Sequence, residues 1–317
     1  MRVLVTGGAG FIASNLVDRL LAEGCDVDVI DDLSTGSLGN LADARAERSR
    51  RFTFHRMDIC SPQLGELVAH RKPEVIFHLA AQAGVRPSLE RPAFDAQVNI
   101  LGTMNVCEAA LGAGTRKIVF AGSGGTIYGV PESLPVKESH SQHPTSPYGV
   151  SKKAAVDYLY YYREIHGLEY TVLALANVYG PRQDPHGEAG VIAIFGGALL
   201  AGKQPTIYGD GRQTRDYVFV DDVVDAFVRA TEKGGGLLMN IGTGVETSVV
   251  ELFEVMARIT GFRDEARFAP ERPGELLRSA LDPGRAAIHL GWKPWTSIED
   301  GLGRTIDWHR EFRPAGS

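Results

Sequence analysis

The sequence predicts an α/β fold in which a doubly wound parallel sheet is joined to a smaller C-terminal α/β domain. Three observations support this prediction. A glycine-rich turn joins an apolar strand to a helix at the start of the chain, and a second strand ends on two acidic residues about 20 positions later. Strand and helix patterns then alternate, which is typical of a parallel sheet with helices on both faces.

The first element is a strand, a tight turn and a helix. The apolar residues 3–5 precede the turn, and apolar residues at helical spacing follow it from Leu16. Between them, Gly8, Gly10 and Ala13 fit the pattern Gly-x-Gly-x-x-Gly/Ala of dinucleotide-binding turns. Glycine lets the backbone approach a pyrophosphate, whose charge binds the unpaired N–H groups of the helix start. A plain glycine-rich turn is the alternative, which the flanking strand and helix make less favoured.

The second strand indicates which dinucleotide is bound. Residues 26–30 alternate as a strand that ends at Asp31 and Asp32. In this fold a carboxylate at that place binds the hydroxyls of the adenosine ribose. Because a carboxylate repels a 2′-phosphate, the acidic pair favours NAD over NADP. Residues 32–36 also contain turn chemistry, so a turn aspartate is the alternative interpretation.

The alternation continues through the next part of the chain. We expect further strands at residues 51–59, 75–79, 117–120 and 170–176, and helices at 62–70, 94–111 and 148–166. The last of these helices carries four tyrosines, a surface wider than one core-facing stripe: Tyr158, Tyr160, Tyr161 and Tyr162. Core packing and an interface explain this tyrosine surface equally well.

The composition changes at Asn177, where loops rich in Gly, Pro and charged residues begin. We therefore expect residues 1–176 to form a nucleotide-binding domain of Rossmann type and residues 177–317 to form the substrate domain. A further strand–helix–strand pattern at about 217–242 is expected to return to the first domain.

Composition and charge exclude several classes of protein. The 317 residues carry a formal net charge of −6 and a pI near 5.9, which give no basic field for nucleic acid or an anionic membrane. Cys25, Cys60 and Cys107 follow neither a metal-ligand nor a disulfide pattern. No apolar stretch reaches the ~20 residues that span a bilayer, and no signal peptide precedes the first strand. We therefore expect a soluble, cytoplasmic protein without a metal site.

A second strong pattern is Ser-Pro-Tyr-Gly-Val-Ser-Lys at residues 146–152. Tyr148 and Lys152 are four residues apart, so at a helix start they project from one face. The ammonium of Lys152 is expected to lower the pKa of Tyr148 from about 10, so that the phenol exchanges protons with an alcohol near neutral pH. Ser123 and Thr126 follow the fifth strand, and either hydroxyl could bond the same substrate oxygen. A chance pair on a helix surface is the alternative, and the position at the carboxyl end of the sheet disfavours it.

Together these motifs resemble the extended short-chain dehydrogenase/reductase family along essentially the whole chain. Within that family they are similar to the enzymes that invert C4 of UDP-glucose and UDP-galactose. The supporting stretches are residues 6–12, 31–36, 78–82, 123–129, 148–152, 177–182, 215–216 and 272–275. The early stretches occur in many sugar-nucleotide enzymes, and the later ones narrow the substrate.

The resemblance implies a bound NAD and assigns its contacts. The implied contacts are Gly7, Gly10, Phe11 and Ile12 at the pyrophosphate, Asp31, Asp32, Ser34, Thr35 and Gly36 on the adenosine side, Asp58 and Ile59 at the adenine, Leu79, Ala80, Ala81 and Asn99 along the cofactor trough, and Lys152, beside Tyr148, at the nicotinamide ribose. Because each turnover regenerates the NAD, the resemblance also implies that the cofactor can stay bound.

The resemblance further implies a UDP-sugar substrate. The implied contacts are Asn177, Arg215 and Arg272 at the diphosphate, Val191, Tyr208 and Tyr217 around the uridine, Glu275 at its ribose, Ser123 and Tyr148 at the sugar 4-hydroxyl, and Ser279 at the sugar 2-substituent. Arginine suits a diphosphate because its guanidinium presents paired donors, although any one arginine could be a solvated surface residue. The small Ser279 leaves room for an N-acetyl group, so we expect UDP-N-acetylglucosamine to be accepted alongside UDP-glucose.

The implied activity is that of an isomerase, which inverts C4 through a transient 4-keto intermediate while Tyr148 takes the hydroxyl proton. The alternatives are a dehydratase, a decarboxylase or a uronic-acid epimerase of the same family, and a non-catalytic NAD-binding regulator. Dehydratases of the family carry Thr-Asp-Glu where residues 123–126 read Ser-Gly-Gly-Thr. The intact Tyr148 and Lys152 argue against a regulator.

Three departures from the family pattern affect the site. Ala13 replaces the usual third glycine, the Gly-Gly after Ser123 lengthens that loop, and residues 175–176 read Leu-Ala where an aromatic residue often precedes Asn177. Family members pair through two helices, which here correspond to residues 94–111 and 148–166. The resemblance therefore implies a homodimer.

Overall fold

The structure is a computed structural model, which describes residues 1–47, 50–185, 190–271 and 276–312. Its strands are β1 (Arg2–Thr6), β2 (Asp26–Asp31), β3 (Phe52–Arg56), β4 (Val75–His78), β5 (Lys117–Ser123), β6 (Glu169–Leu175), β7 (Asn177–Tyr179), β8 (Thr206–Tyr208), β9 (Thr214–Arg215), β10 (Tyr217–Phe219), β11 (Leu237–Ile241), β12 (Thr247–Ser248) and β13 (Arg267–Ala269). Its α-helices are α1 (Phe11–Ala22), α2 (Ala42–Ala46), α3 (Leu64–Arg71), α4 (Val85–Glu90), α5 (Pro92–Ala96), α6 (Gly102–Ala113), α7 (Gly124–Ile127), α8 (Pro147–His166), α9 (Val191–Leu200), α10 (Val220–Ala230), α11 (Val249–Thr260), α12 (Gly284–His289) and α13 (Ile298–Phe312). A 3₁₀ turn (Leu38–Leu41) precedes α2, and a π-helical turn (Gln97–Leu101) joins α5 to α6.

Seven strands form one parallel sheet in the order β3-β2-β1-β4-β5-β6-β11. The predicted doubly wound α/β fold is confirmed. The chain winds outward from β1 in both directions, so the strand order reverses between β1 and β4. A crevice opens at the carboxyl ends of strands at such a reversal, and this is where ligands bind in open α/β sheets.

The sheet is buried on both faces because alternate side chains of each strand enter different cores. Val3 and Val5 pack with residues of α1 and α10, whereas Leu4 packs with residues of α3, α6 and α8. The strands therefore read as continuous apolar runs, as expected for a parallel sheet covered by helices.

Two predicted elements differ from the structure. The predicted strand at 51–59 is shorter, because the chain turns after β3, where the Ser61 N–H donates to the Asp58 carbonyl. The predicted helix at 94–111 is interrupted by the π-helical turn. A Cβ at Gly102, where α6 begins, would lie 2.7 Å from Ile59 Cδ1, so the helix passes close to the segment after β3 there.

The rest of the chain adds small sheets and helices beside the large sheet. β7 pairs with β10, β8 with β13 and β9 with β12, while α9, α11 and α13 pack together. Of the segment at 217–242, β10 therefore lies outside the large sheet and β11 lies at its edge, next to β6. The division at residue 176 stays a prediction. In the described ranges no helix is both long and apolar enough to cross a membrane.

A buried carboxylate ties the end of β11 to the segment that precedes α12. Asp216 is 1% exposed, and its oxygens accept the N–H groups of Thr243 at 2.8 Å, Gly244 at 3.0 Å and Leu281 at 3.1 Å. The Thr243 hydroxyl donates to the same carboxylate at 2.6 Å. Since all these partners are hydrogen-bond donors, a carboxylate, which only accepts, satisfies each of them.

We expect Asp216→Asn to lower the free energy of unfolding by about 2 kcal/mol, because the amide N–H₂ would face backbone donors. Chemical denaturation measures this loss. The control is Asp307→Asn, which removes a 68% exposed carboxylate paired with Arg310 and should change the free energy by less than ~0.5 kcal/mol. Equal stability of both variants would contradict the role of Asp216.

Candidate active site

The glycine turn lies at the crevice and fits a pyrophosphate. Gly7 has φ +70°, and its N–H donates to the Ile30 carbonyl at 2.7 Å. A Cβ at Gly7 would lie 2.7 Å from the backbone of Ala80, so only glycine fits there. Gly10 caps α1 without a side-chain hydrogen bond. Because glycine has no side chain to accept from the first-turn N–H groups of α1, Gly10 leaves these groups available to an anion.

The two acidic residues after β2 have different environments. Asp31 is 7% exposed and accepts the N–H groups of Ala9 at 2.9 Å and Leu33 at 2.8 Å. Burial raises the pKa of Asp31, and these two hydrogen bonds oppose the rise. Asp32 is exposed and accepts both the N–H and the hydroxyl of Ser34. Asp31 is thus the inward carboxylate, which also fixes the glycine turn.

Five more of the residues expected at the cofactor follow β2 and β4 at the crevice. Thr35 is exposed, and Gly36 passes close to Asp31, since a Cβ there would lie 2.8 Å from Asp31 Oδ1. Leu79, Ala80 and Ala81 are partly exposed after β4. These small or apolar residues leave the trough open to a cofactor.

Three other expected cofactor residues are in different positions. Asp58 is exposed and accepts the Cys60 N–H at 2.8 Å, whereas Ile59 is buried against Gly102. Asn99 is 2% exposed, accepts the Gln82 N–H at 2.9 Å and donates to the Gln82 carbonyl at 2.9 Å. Asn99 therefore shapes the trough by holding the loop after β4.

The start of α8 presents Tyr148 to the site. The Ser146 hydroxyl accepts the Gly149 N–H at 3.2 Å, and Pro147 has no N–H to satisfy. The Tyr148 N–H donates to Ser88 Oγ, on α4, at 3.2 Å. A side chain from another helix therefore caps Tyr148 itself, and nothing in the sequence spacing pointed to Ser88.

Lys152 follows Tyr148 by one helical turn, and its Nζ lies 5.9 Å from the centroid of the Tyr148 ring. It is 3% exposed, and its Nζ donates to the Ala121 carbonyl at 3.0 Å and lies 4.7 Å from the centroid of the Phe120 ring. Burial lowers the pKa of Lys152 to about 8, while the charge of Asp95 raises it. The ammonium form still predominates at neutral pH.

The expected lowering of the Tyr148 pKa by Lys152 is wrong for the protein by itself. Burial raises the pKa of Tyr148 to about 12, the Ser123 hydroxyl opposes the rise, and Asp95 adds to it. The reason is that the Lys152 ammonium is directed to Ala121, so burial of the phenol dominates. In the protein alone, the neutral phenol of Tyr148 therefore predominates at neutral pH.

The two candidate hydroxyls form a hydrogen-bonded chain that leads to Tyr148. Thr126 Oγ1 donates to Ser123 Oγ at 2.8 Å, and Ser123 is the one that interacts with the Tyr148 hydroxyl. Ser123 is therefore the hydroxyl next to Tyr148, and Thr126 holds Ser123 in place through its hydrogen bond.

A cavity of about 860 Å³ opens beside Tyr148. The expected site residues that line it are Phe11, Ile12, Ser123, Tyr148, Asn177, Val191, Tyr208, Arg215 and Tyr217. Leu175 and Ala176, which stand where the family often has an aromatic residue, line it as well. The charged side chains among its described lining are Lys203 and Arg215, with no carboxylate. The cavity therefore suits an anionic ligand.

The cavity also contains residues that the sequence reasoning missed. Examples are Gln183, Lys203 and Gln213, which come from three separate loops that only the fold brings together. Ser279 is buried and is not among the described lining residues, so its expected role at the sugar stays a prediction. Arg272 and Glu275 lie outside the described residues.

A dinucleotide turn, a Tyr–Lys pair and a basic cavity at one crevice define a nucleotide-dependent enzyme with a second, anionic ligand. Residues 3–242 match the model of the NAD dependent epimerase/dehydratase family. The chain belongs to this family, which confirms the family resemblance and NAD as the cofactor.

Several known proteins are similar to this chain along nearly its full length. The UDP-glucose 4-epimerase of Mycolicibacterium smegmatis is 53% identical over 98% of this chain and 99% of its own. A crystal structure of the Thermotoga maritima UDP-glucose 4-epimerase with UDP-glucose has a TM-score of 0.94 and 44% identity, covering 98% of this chain and 99% of that chain. The Thermus thermophilus UDP-glucose 4-epimerase in complex with NAD has a TM-score of 0.90 and 41% identity, covering 98% and 100%.

We expect Gly7→Ala to weaken NAD binding at least tenfold, because a Cβ at φ +70° is strained and would push the Ala80 backbone out of the trough. Calorimetric titration of nucleotide-free protein with NAD measures the change. The matched control is Gly65→Ala in α3, where a Cβ meets no atom within 4 Å and affinity should be unchanged. Equal NAD affinity of Gly7→Ala and the unmodified protein would contradict the assignment.

Proposed function

We propose that this chain is an isomerase that inverts C4 of a UDP-hexose, interconverting UDP-galactose and UDP-glucose with NAD as cofactor. The observation that carries the proposal is the cavity, which is lined by Ser123 and Tyr148 together with Arg215 and Lys203. No carboxylate is found among its described lining residues. An alcohol-activating phenol and a site for a diphosphate then lie within one cavity. The named 4-epimerases that resemble the chain along nearly its whole length support the same reaction.

The side chains suggest how the reaction proceeds. Tyr148 accepts the proton of the sugar 4-hydroxyl, and Ser123 hydrogen-bonds the same oxygen. NAD, when bound, supplies the hydride acceptor for C4 and a positive ring charge that favours the phenolate of Tyr148. The 4-keto sugar turns about its diphosphate and presents its other face. The hydride taken up by the cofactor would then return to C4 on that face, while Tyr148 returns the proton to the oxygen. The centre is then inverted.

The cavity residues have proposed places along the substrate. Arg215 and Asn177 would hold the diphosphate, because guanidinium and amide N–H groups donate to phosphate oxygens. Tyr208, Tyr217 and Val191 would surround the uridine. The proposed roles of Arg272 at the diphosphate and Glu275 at the ribose rest on the family resemblance.

The alternatives within the family fit this cavity less well. Elimination of water needs an acid and a base beside the sugar, and residues 123–126 provide Ser-Gly-Gly-Thr instead. A non-catalytic regulator would not need Tyr148 capped by Ser88 and directed at the cavity. Assays with UDP-galactose and UDP-glucuronate in parallel distinguish hexose from uronic-acid epimerisation.

We also propose that the protein is a homodimer that pairs through α8 and the helical segment beside it. Tyr158, Tyr161 and Ile165 are exposed at spacings of three and four, so they form one stripe along α8. Phe94 and Leu101 are exposed on the neighbouring segment, which packs against α8. A second copy would bury this apolar surface in a helical bundle.

Tyr148→Phe should reduce the interconversion of UDP-galactose and UDP-glucose by at least about a thousandfold, because it removes the hydroxyl that is proposed to take the proton of the sugar. NAD affinity should stay within about threefold, since the ring remains. A coupled assay and a calorimetric titration measure the two. Full activity of the variant would sink the assignment of Tyr148.

Ile165→Glu should convert the dimer to a monomer, because it places a charge in the proposed apolar contact. Light scattering after size exclusion gives the mass. Ile288→Glu, at a 79% exposed position on α12, is the control and should stay dimeric. A dimeric Ile165→Glu variant, or a monomeric unmodified protein, contradicts this interface.

A further inference from the structure

Asp95 is a buried carboxylate that the proposed reaction does not use. It lies on α5, which packs against α8, and it is fully buried. Its Oδ1 accepts from Gln82 Nε2 at 3.0 Å and from Asn99 Nδ2 at 3.0 Å. Its Oδ2 is also buried and has no hydrogen-bond partner among the residues that the structure describes. Burying a carboxylate with one unpaired oxygen lowers the stability of the fold unless a nearby positive charge compensates the negative charge.

Lys152 is a buried cation on the packed helix. Its ammonium donates to the carbonyl of Ala121 and lies over the Phe120 ring, and neither of these partners carries a formal charge. A buried ammonium has the same need for an opposite charge as a buried carboxylate. Asp95 and Lys152 are thus two buried groups on helices that pack together, and the charge of Asp95 acts on Lys152.

We propose that Asp95 is a positioning residue that acts through Lys152 and Tyr148, its buried charge balancing the ammonium and setting the pH range in which the catalytic pair works. The inference rests on the proposed epimerase function and deepens it. The amides of Gln82 and Asn99 fix the carboxylate, and the π-helical turn that carries Asn99 brings that amide inward.

The other titratable groups around Asp95 are a buried histidine and side chains that reach solvent. Burial, together with the charge of Lys152, lowers the pKa of His78 to about 3, so this histidine is neutral at working pH. The charged side chains on α4 and at the start of α5 are partly or fully exposed to solvent: Arg86, Glu90 and Arg91. Lys152 and Tyr148 are the groups of α8 on which the Asp95 charge acts.

The sign of the effect is the same for both partners. The negative charge of Asp95 raises the pKa of Lys152, because it favours the ammonium, and raises that of Tyr148, because it disfavours the phenolate. Neutralising Asp95 lowers both pKa values. The acid and alkaline limbs of the rate profile then both move to lower pH, whereas a residue that only fills space leaves them in place.

The test is the pH dependence of kcat for UDP-galactose, measured on NAD-loaded protein with and without Asp95→Asn. We expect both limbs of the variant to move down by about one pH unit. The control is Asp222→Asn, which removes another fully buried carboxylate, bonded to Thr296 and Trp295. This control should lower the melting temperature and leave both limbs unchanged. Limbs that stay in place in Asp95→Asn overturn the inference.

Two further variants keep the test decisive. Asp95→Ser is neutral and small enough to admit water, so it should reproduce the shift if the asparagine variant does not fold. Asp95→Glu keeps the charge and should restore the original limbs at some cost in melting temperature. A shift in Asp95→Glu equal to that of the neutral variants would assign the effect to packing and overturn the inference.

A readout without turnover separates this inference from the proposed function. Tyrosinate absorbance of NAD-loaded protein, taken as the difference from Tyr148→Phe, reports the ionisation of Tyr148 directly. It should occur at lower pH in Asp95→Asn. An inactive unmodified protein would end the epimerase proposal while this titration still decides the role of Asp95, and an active protein with an unchanged titration would end the role of Asp95 alone.

Discussion

The close approach of Gly7 to Ala80 is the constraint on which the site depends. β1 and β4 are neighbours at the reversal of strand order, and the chain leaves both strands at the same edge. A Cβ at Gly7 would overlap the Ala80 backbone, so the two turns form one narrow floor. The cavity beside Tyr148 reaches the start of α1 next to this floor, at Phe11 and Ile12.

A chain of hydrogen bonds beneath the floor holds it in place. The Ala80 N–H donates to Thr6 Oγ1 at 3.3 Å, and Thr6 Oγ1 lies 2.7 Å from His78 Nδ1. Thr103 Oγ1 donates to the Asn99 carbonyl at 2.8 Å, so it accepts from His78 Nε2 at 3.0 Å. His78 Nδ1 is then an acceptor for Thr6, and burial keeps the ring neutral, as this arrangement needs. The end of β4 is thereby fixed to β1 and α6.

The same burial that shapes the site also explains why the protein by itself does not ionise Tyr148. Burial moves the pKa of Tyr148 up to about 12 and that of Lys152 down to about 8, so it disfavours both charges. A positive charge beside the phenol, such as that of a nicotinamide ring, would act against this rise in the pKa of Tyr148.

Sequence patterns identified the parts of the site that local spacing encodes. The turn around Gly7, the inward Asp31 and the Tyr148–Lys152 pair follow from a strand, a turn and a helix read along the chain. Asp95 and Ser88 were missed because their roles arise from contacts between separate helices. The raised pKa of Tyr148 was missed for the same reason, since it depends on burial rather than on the distance to Lys152 in the sequence.

The proposed reaction requires that C4 of a UDP-hexose is oxidised and then reduced within one bound complex. Conversion of UDP-galactose deuterated at C4, followed by NMR of the product, tests this requirement. We expect UDP-glucose that keeps the deuterium at C4, because the hydride is returned without exchange with solvent. Loss of the deuterium to water, or a product other than the C4 epimer, would contradict the proposed reaction.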